Sequence, residues 1–418
     1  VSAVAAALPA ATRTAPLAVL AASRSLPFHG IGGMQAIAWD VLAGLARRGH
    51  RVTVLTTAIR GRSGAFQSDG VAVVPLEDTL PERYSGGWWR ASRRYVERQV
   101  AGDVDVVLSV SSAAAGLLPL KGSRLAVPFI FQVHGSSWAE ARAKWQSTRP
   151  LDWVKSARNV CWLAKDAVLY RGFDRLVFVG DALRKQFEAP PLRWMTRGIE
   201  RTTIANGIDT RRFRCNAGRS ASVRARFGFA PGERVLVFAA RLHAQKGAAE
   251  ALRALAVLRA RDSSYKLLVV GDGAESGALR RLAGELGCEG AVAFAGAVHR
   301  DAVPELLAAG NAFVFPALGG RRECGVTLNV LEALSVGLPC VCGESLRDVF
   351  GPLDGISYAP PRDARALAAA LDEAALRSSP DATLLPAEYS LERCIDAYES
   401  LLSGSSMRGA ATSRSVQD

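Results

Sequence analysis

The chain has 418 residues, 49% of them hydrophobic and 22% charged, which suits a soluble globular protein and exceeds what one hydrophobic core fills. The net charge of +13 is uneven: Lys and Arg outnumber Asp and Glu by 26 to 15 in residues 1–200, but only by 26 to 24 afterwards. No apolar run reaches the ~18 residues needed to span a bilayer; the longest, at 125–133, contains Pro128 and reads as a buried strand.

Residues 1–16 are rich in small side chains, lack a cationic leader and carry Pro9, so a disordered extension is expected rather than a signal peptide. From residue 17 short apolar runs alternate with helical patterns, the rhythm of βαβ units around parallel sheets. A strand at 17–23 leads through the loop 24–33 into a helix. Ile37, Val41, Leu42 and Leu45 share one face of that helix, and Gly49 ends it. Strands follow at 52–57, 71–76, 105–110, 128–133 and 175–180.

The rhythm then restarts. Strands are expected at 235–240, 266–271, 292–296, 312–316 and 339–343, with helices at 248–260, 275–287, 301–309 and about 328–336 between them. The fold class is therefore α/β: two Rossmann-like, doubly wound domains, 17–203 and 204–388, with the active site expected in a cleft between them. A helix over 389–403 is expected to pack back on the first domain, and the polar tail 404–418 to be disordered.

Seven cysteines, an odd number without C-x-x-C spacing, support neither a disulfide framework nor a zinc site and fit a reducing cytoplasm. Asp103-Val104-Asp105 has the form of a D-x-D metal signature. It opens an apolar strand, however, where two alternating carboxylates need no metal. Cys340 and Cys342 likewise read as strand packing.

Three segments carry candidate chemistry. The loop HGIGGMQ (29–35) holds Gly32 and Gly33 ahead of a helix, where backbone amides can approach an anion; a plain tight turn would account for it equally. Gln35 breaks the dinucleotide G-x-G-x-x-G pattern, and the second strand ends in Thr56 and Thr57 rather than an acid, which disfavours a nicotinamide dehydrogenase. In RLHAQKG (241–247), Arg241 and Lys246 stand where strand ends deliver ligand contacts and could neutralise a departing diphosphate. Taken alone, they read more simply as two surface cations flanking a turn. In 316–337, Glu323 lies in a glycine-bearing loop and Glu332 in the next helix. The carboxylates suit hydrogen bonding to vicinal hydroxyls, while the backbone around Thr327 and Leu328 can offer N–H groups to a phosphate or sugar.

Together these segments resemble the family-4 retaining glycosyltransferases of the GT-B fold over residues 17–402. The matching stretches are GGMQ with LAGLARRGHRVTVLTT, VHG at 133–135, IANGIDTRRF at 204–213, RLHAQKG, LLVVGDG, VAFAG and GVTLNVLEALSVGLPCV. The resemblance implies that Gly32 and Gly33 face the donor phosphates and that His134 lies near the transferred sugar. It implies that Arg241 and Lys246 neutralise the leaving diphosphate. Gly296, Ala297 and Val298 would meet the base through their main chain, and Glu332 would bind the ribose. The donor is then a UDP- or GDP-linked sugar, with no metal or other cofactor. Two departures stand out. Eight residues rather than the family's seven separate Glu323 from Glu332, so Cys324 occupies the first position unless a one-residue bulge restores Glu323. Ala240 also replaces the usual glycine before Arg241.

In this fold the first half receives the acceptor, a saccharide or a lipid-linked one. All eight tryptophans (Trp39, Trp88, Trp89, Trp138, Trp145, Trp153, Trp162 and Trp194) lie there. At 86–99 and 138–165 they interleave with Arg and Lys, as on surfaces that dock on anionic headgroups; a solvated basic face over core tryptophans is the alternative. No nucleic-acid partner is expected. A cytoplasmic enzyme, peripheral on the inner face of the membrane, is the resulting expectation. A sugar-nucleotide epimerase, a phosphorylase or a non-catalytic binding protein of the same fold is the rival reading.

Overall fold

The computed structural model describes residues 15–30, 32–100, 103–138, 141, 163, 165–214, 217–318, 327–377 and 382–414. The chain forms two compact units: the first runs to Gly207 and resumes at Leu391, and the second spans Ile208–Ser390. The change of unit at Gly207 falls four residues beyond the boundary expected from sequence.

The sheet of the first unit contains β1 (Ala18–Ala22), β2 (Arg51–Thr57), β3 (Phe66–Ser68), β4 (Val71–Leu76), β5 (Val106–Val110), β6 (Phe129–Val133), β7 (Arg175–Phe178) and β8 (Glu200–Thr203). Their order is β3-β4-β2-β1-β5-β6-β7-β8, and every pair is parallel except β3 with β4. β1, β5 and β6 are buried at every position, which is why they read as unbroken apolar runs. Asp105 Oδ2 accepts a 2.7 Å hydrogen bond from the Ala18 amide, so this carboxylate ties β5 to β1.

In the second unit, β9 (Arg234–Ala239), β10 (Tyr265–Val270), β11 (Val292–Gly296), β12 (Ala312–Phe315), β13 (Cys340–Gly343) and β14 (Ile356–Ala359) form a wholly parallel sheet, in the order β11-β10-β9-β12-β13-β14. Cys340 and Cys342 are fully buried within it. The direction of winding reverses between β1 and β5 in one sheet and between β9 and β12 in the other. Within each unit the loops at the carboxyl ends of the strands diverge at that reversal, which is where open α/β sheets hold ligands.

The helix Leu391–Arg414 belongs to the first unit and lies along the helix Gly33–Arg47. Trp39, Leu42 and Leu45 share a core with Leu391, Ile395, Tyr398 and Leu402. Arg48 fastens the pair through Asp396 at 2.6 Å and Glu399 at 2.5 Å. The expectation of disorder from residue 404 is corrected here, since the helix continues to Arg414. Ser403 and Ser405 are buried against the unit, and Ser405 Oγ donates to Leu401 O, so the polar residues continue the buried face instead of ending it.

The helix Gly86–Gln99 separates the two readings of its tryptophans. Trp88 is wholly buried and its indole N–H donates to Ala113 O at 3.0 Å, so it is a core residue and not part of a basic aromatic surface. Trp89 is half-buried, with the Lys165 ammonium 3.7 Å from its ring centroid. Most of 138–165, including Trp145, Trp153 and Trp162, lies outside the described residues.

Close approach of the C-terminal helix depends on Gly44: a Cβ there would lie 2.1 Å from Ile395 Cδ1. Gly44→Leu should therefore lower stability by about 1–3 kcal/mol through overpacking. A urea titration should show an earlier midpoint with an unchanged slope; a parental midpoint would mean that the two helices are not packed this closely.

Candidate functional site

The reversal between β9 and β12 assembles a site from loops packed backbone on backbone. Beyond β9 the chain runs through Ala240 and Arg241 into a short turn, Ala244–Lys246. His243 begins that turn, its Nδ1 accepting from the Gln245 amide. Gly247 ends it in the left-handed region, at φ 80°, where a Cβ would strike Pro316 O at 2.2 Å. Gly271, at φ 127°, admits the Ala240 carbonyl to within 2.0 Å of where its Cβ would stand. The Leu318 amide donates to Gln245 O at 3.0 Å and draws the chain after β12 onto the same turn.

Arg241 is exposed, and no ion pair among the described residues engages it. Lys246 is half-buried, its ammonium 5.3 Å from the centroid of the Phe315 ring at the end of β12. Ala240 is only partly buried, so its methyl fits where the family's glycine would stand.

The helix Leu328–Ser335 points its N-terminus into this region. Asn329 Nδ2 donates to Ala239 O at 3.0 Å, tying the helix to the end of β9. Thr327 precedes the helix, and its Oγ1 is buried without a hydrogen-bond partner among the described residues. The Val330 amide donates to Asn329 Oδ1 at 3.1 Å, and the Thr327 hydroxyl beside the amides of Leu328 and Asn329 can serve an incoming anion. Glu332 is buried one turn further on, with Arg300 Nη2 3.6 Å from its Oε1. Arg300 follows the turn at Gly296, Ala297 and Val298, so the base-binding and ribose-binding candidates adjoin. Arg300 was not anticipated from sequence, because a single Arg in VHRD carries no pattern of its own. Glu323 and Cys324, the alternatives for the first carboxylate, lie outside the described residues.

The remaining candidates belong to the first unit. Gly32, extended at φ −171°, precedes the helix that Gly33 opens after β1; a Cβ on Gly32 would meet Gln35 Oε1 at 2.3 Å. Gln35 in turn donates to Ser25 Oγ. His134 follows β6. Its Nε2 lies 2.9 Å from Gln132 Oε1, and Gln132 Nε2 donates to Tyr398 Oη at 2.6 Å. Since the amide oxygen can only accept, His134 carries its proton on Nε2 and presents Nδ1 as an acceptor. Gln132 and Tyr398 are buried, and burial drives the Tyr398 hydroxyl pKa far above its usual value, so it stays neutral. Neither residue was expected at the site. Tyr398 is 264 residues downstream of His134 in the numbering, and only the packing of the C-terminal helix links them.

Two family models match the chain: "Glycosyltransferase Family 4" over residues 31–212 and "Glycosyl transferases group 1" over 233–376. The GDP-mannose-dependent alpha-(1-6)-phosphatidylinositol monomannoside mannosyltransferase of Mycobacterium tuberculosis is 34% identical over 178 residues, 42% of this chain and 45% of that protein. The chain thus spans about half the length of the curated relatives it matches. Sucrose-phosphate synthase from Thermosynechococcus elongatus superposes over 96% of this chain and 99% of its own, with a TM-score of 0.67 and 16% identity. Anabaena HepE, solved in complex with UDP-glucose, superposes over 93% and 100%, with a TM-score of 0.66 and 16% identity. At that identity the likeness is one of fold: the two doubly wound sheets have the GT-B architecture.

Desolvation of His134 pushes its pKa down from 6.5 to about 4. The folded protein keeps the ring neutral while the unfolded chain protonates it, so stability falls as pH drops from 6.5 towards 4, by up to about 3 kcal/mol. His134→Asn should lose less stability than the parent over that window in urea titrations at stepped pH. Parallel losses in both proteins would show that His134 is solvated in the folded state.

Proposed function

The chain belongs to the group 1, family-4 glycosyltransferases, and from that premise we propose that it moves a sugar from a nucleoside diphosphate sugar to a saccharide or lipid-linked acceptor with retention of configuration. The observation that carries this reading is the convergence of Arg241, Lys246, the orphaned Thr327 hydroxyl and Glu332 at one sheet reversal. Such a set matches a diphosphate and a ribose: cations and helix amides for the charge, a carboxylate for the vicinal hydroxyls.

In this mechanism the acceptor oxygen attacks the face from which the nucleoside diphosphate departs, and no protein nucleophile or metal takes part. The protein's task is to stabilise the leaving charge. Arg241 and Lys246 do so electrostatically, and one preorganised contact of this kind is worth ~10²–10³ in rate. The Leu328 main chain joins them at the phosphates, while Gly296, Ala297 and Val298 border the base. Gly32 and Gly33 are assigned to the donor phosphates. His134, neutral, accepts a hydrogen bond from the transferred sugar through Nδ1, and Glu323 holds sugar hydroxyls. The mannosyltransferase relative makes GDP-mannose the first donor to test, with UDP-glucose next.

A lipid-linked acceptor fits a feature of the first unit. Arg90, Arg93 and Arg94 stand on the exposed side of the helix Gly86–Gln99. With Trp89, Lys165 and the 74%-exposed Val168 they line an open cavity of about 540 Å³. Cations around an apolar floor suit an anionic membrane surface, at about 1 kcal/mol per basic residue. Among the described residues no helix is long and apolar enough to cross a membrane.

Two outcomes test these readings. Lys246→Ala should lower nucleotide release from the accepted donor at least about tenfold while leaving the thermal midpoint unchanged; full turnover in a folded variant would refute the leaving-group role. In vesicle sedimentation the protein should pellet with anionic but not neutral vesicles, and release as salt shortens the Debye length. Reversing Arg90, Arg93 and Arg94 to Glu should abolish pelleting, whereas equal behaviour on both vesicle types would argue for a soluble acceptor.

A further inference from the structure

A second basic site lies at the β8 edge of the first sheet, in the segment RWMTRGIER (193–201). A helical turn, Leu192–Met195, leads through Gly198 at φ 82° into β8 and forms an open cup of about 630 Å³. Arg193, Trp194, Thr196, Arg197 and Arg201 line it. The floor is fixed: Leu192 and Thr196 are buried, and Thr196 Oγ1 donates to Leu192 O at 2.8 Å. Arg201 Nη2 donates to Thr196 Oγ1 at 2.7 Å and to its carbonyl at 3.3 Å, which holds the guanidinium at the wall.

Three features of the cup point outward, to a ligand. No ion pair among the described residues joins Arg193, Arg197 or Arg201 to a carboxylate; the adjacent Glu200 pairs with Arg175 instead. Three like charges sharing one concavity repel each other and focus a positive potential into it. Trp194 is 66% exposed, whereas Trp39 and Trp88 are buried and Trp89 and Trp138 half-buried, so its indole gains little from the core. Guanidinium forks match phosphate bidentately, a flat indole matches the apolar face of a ring, and the volume matches a small ligand.

We propose that this cup binds a phosphorylated saccharide, with Arg193, Arg197 and Arg201 on the phosphate and Trp194 against the sugar ring. The assignment does not rest on the transfer reaction, because none of the residues that line the cup is among those assigned to the donor.

Calorimetry on the full chain, with UDP and GDP present to occupy the nucleotide site, gives the test. Glucose 6-phosphate should bind saturably and more tightly than inorganic phosphate, while glucose should not bind. Arg193→Ala and Arg197→Ala change exposed side chains, leave folding intact and should each weaken binding at least about tenfold. Trp194→Ala should reduce the affinity for glucose 6-phosphate to that for phosphate, and Lys246→Ala should change neither. Absent binding, or binding indifferent to Arg193→Ala and Arg197→Ala, overturns the site. Equal affinity for inorganic phosphate in the parent overturns the saccharide, and loss with Lys246→Ala returns the signal to the nucleotide site.

Discussion

Backbone packed directly on backbone at the reversal of the second sheet is the constraint on which the rest of the site depends. A Cβ at Gly247, Gly271, Gly273 or Gly343 would fall 2.0–2.3 Å from a carbonyl oxygen of Pro316, Ala240, Leu242 or Ala317 respectively. Only hydrogen fits in those gaps, and neither rotamer change nor a small shift would make room for a methyl. The four contacts lock together the chain that leaves β9, β10, β12 and β13. Arg241 and Lys246 inherit fixed backbone positions from them, which the leaving-group role proposed for them requires: charges placed before the reaction rather than during it.

The first unit achieves the same end by different means. His134 gains its tautomer from Gln132, and Gln132 gains its orientation from Tyr398 on the C-terminal helix. That helix is held by apolar burial against Trp39, Leu42 and Leu45, by the space above Gly44, and by the Arg48 pairs with Asp396 and Glu399. A polar relay inside an apolar interface is specific because each unmade bond would leave a buried group unsatisfied. Keeping His134 neutral through burial costs stability in acid, and this is offset by the packing around it.

Charge on the first unit is organised rather than diffuse. Arg90, Arg93 and Arg94 lie on one helix face, in part balanced by Glu97 and Asp78 at 3.4 and 3.9 Å. Arg193, Arg197 and Arg201 gather instead in a cup without carboxylates. Exposed ion pairs contribute little to stability, so neither group is needed for the fold. Both are proposed recognition surfaces, one for an anionic plane and one for a compact anion.

Much of this protein is legible in its sequence. Strands buried on both faces, such as AVLAA at 18–22 and VVLSV at 106–110, must be apolar throughout, and their alternation with amphipathic helices dictates two parallel sheets. The glycines of RLHAQKG and LLVVGDG mark turns that only glycine can make, so the loops that carry Arg241 and Lys246 are legible in the sequence. Strands at the margins escaped. β8 is ERTT and β14 is ISYA, half-exposed edges without an apolar run. Trp88 and Trp194 carry identical side chains among similar basic neighbours, yet one is core and the other solvent-facing. Nothing local separates them, because helix rotation and strand order decide burial. The same holds for Arg300 beside Glu332 and for Tyr398 behind His134. Local chemistry determined which loops carry charge and glycine, while contacts between residues far apart in the chain decided which side chains meet, since burial and partnership are properties of the packed whole.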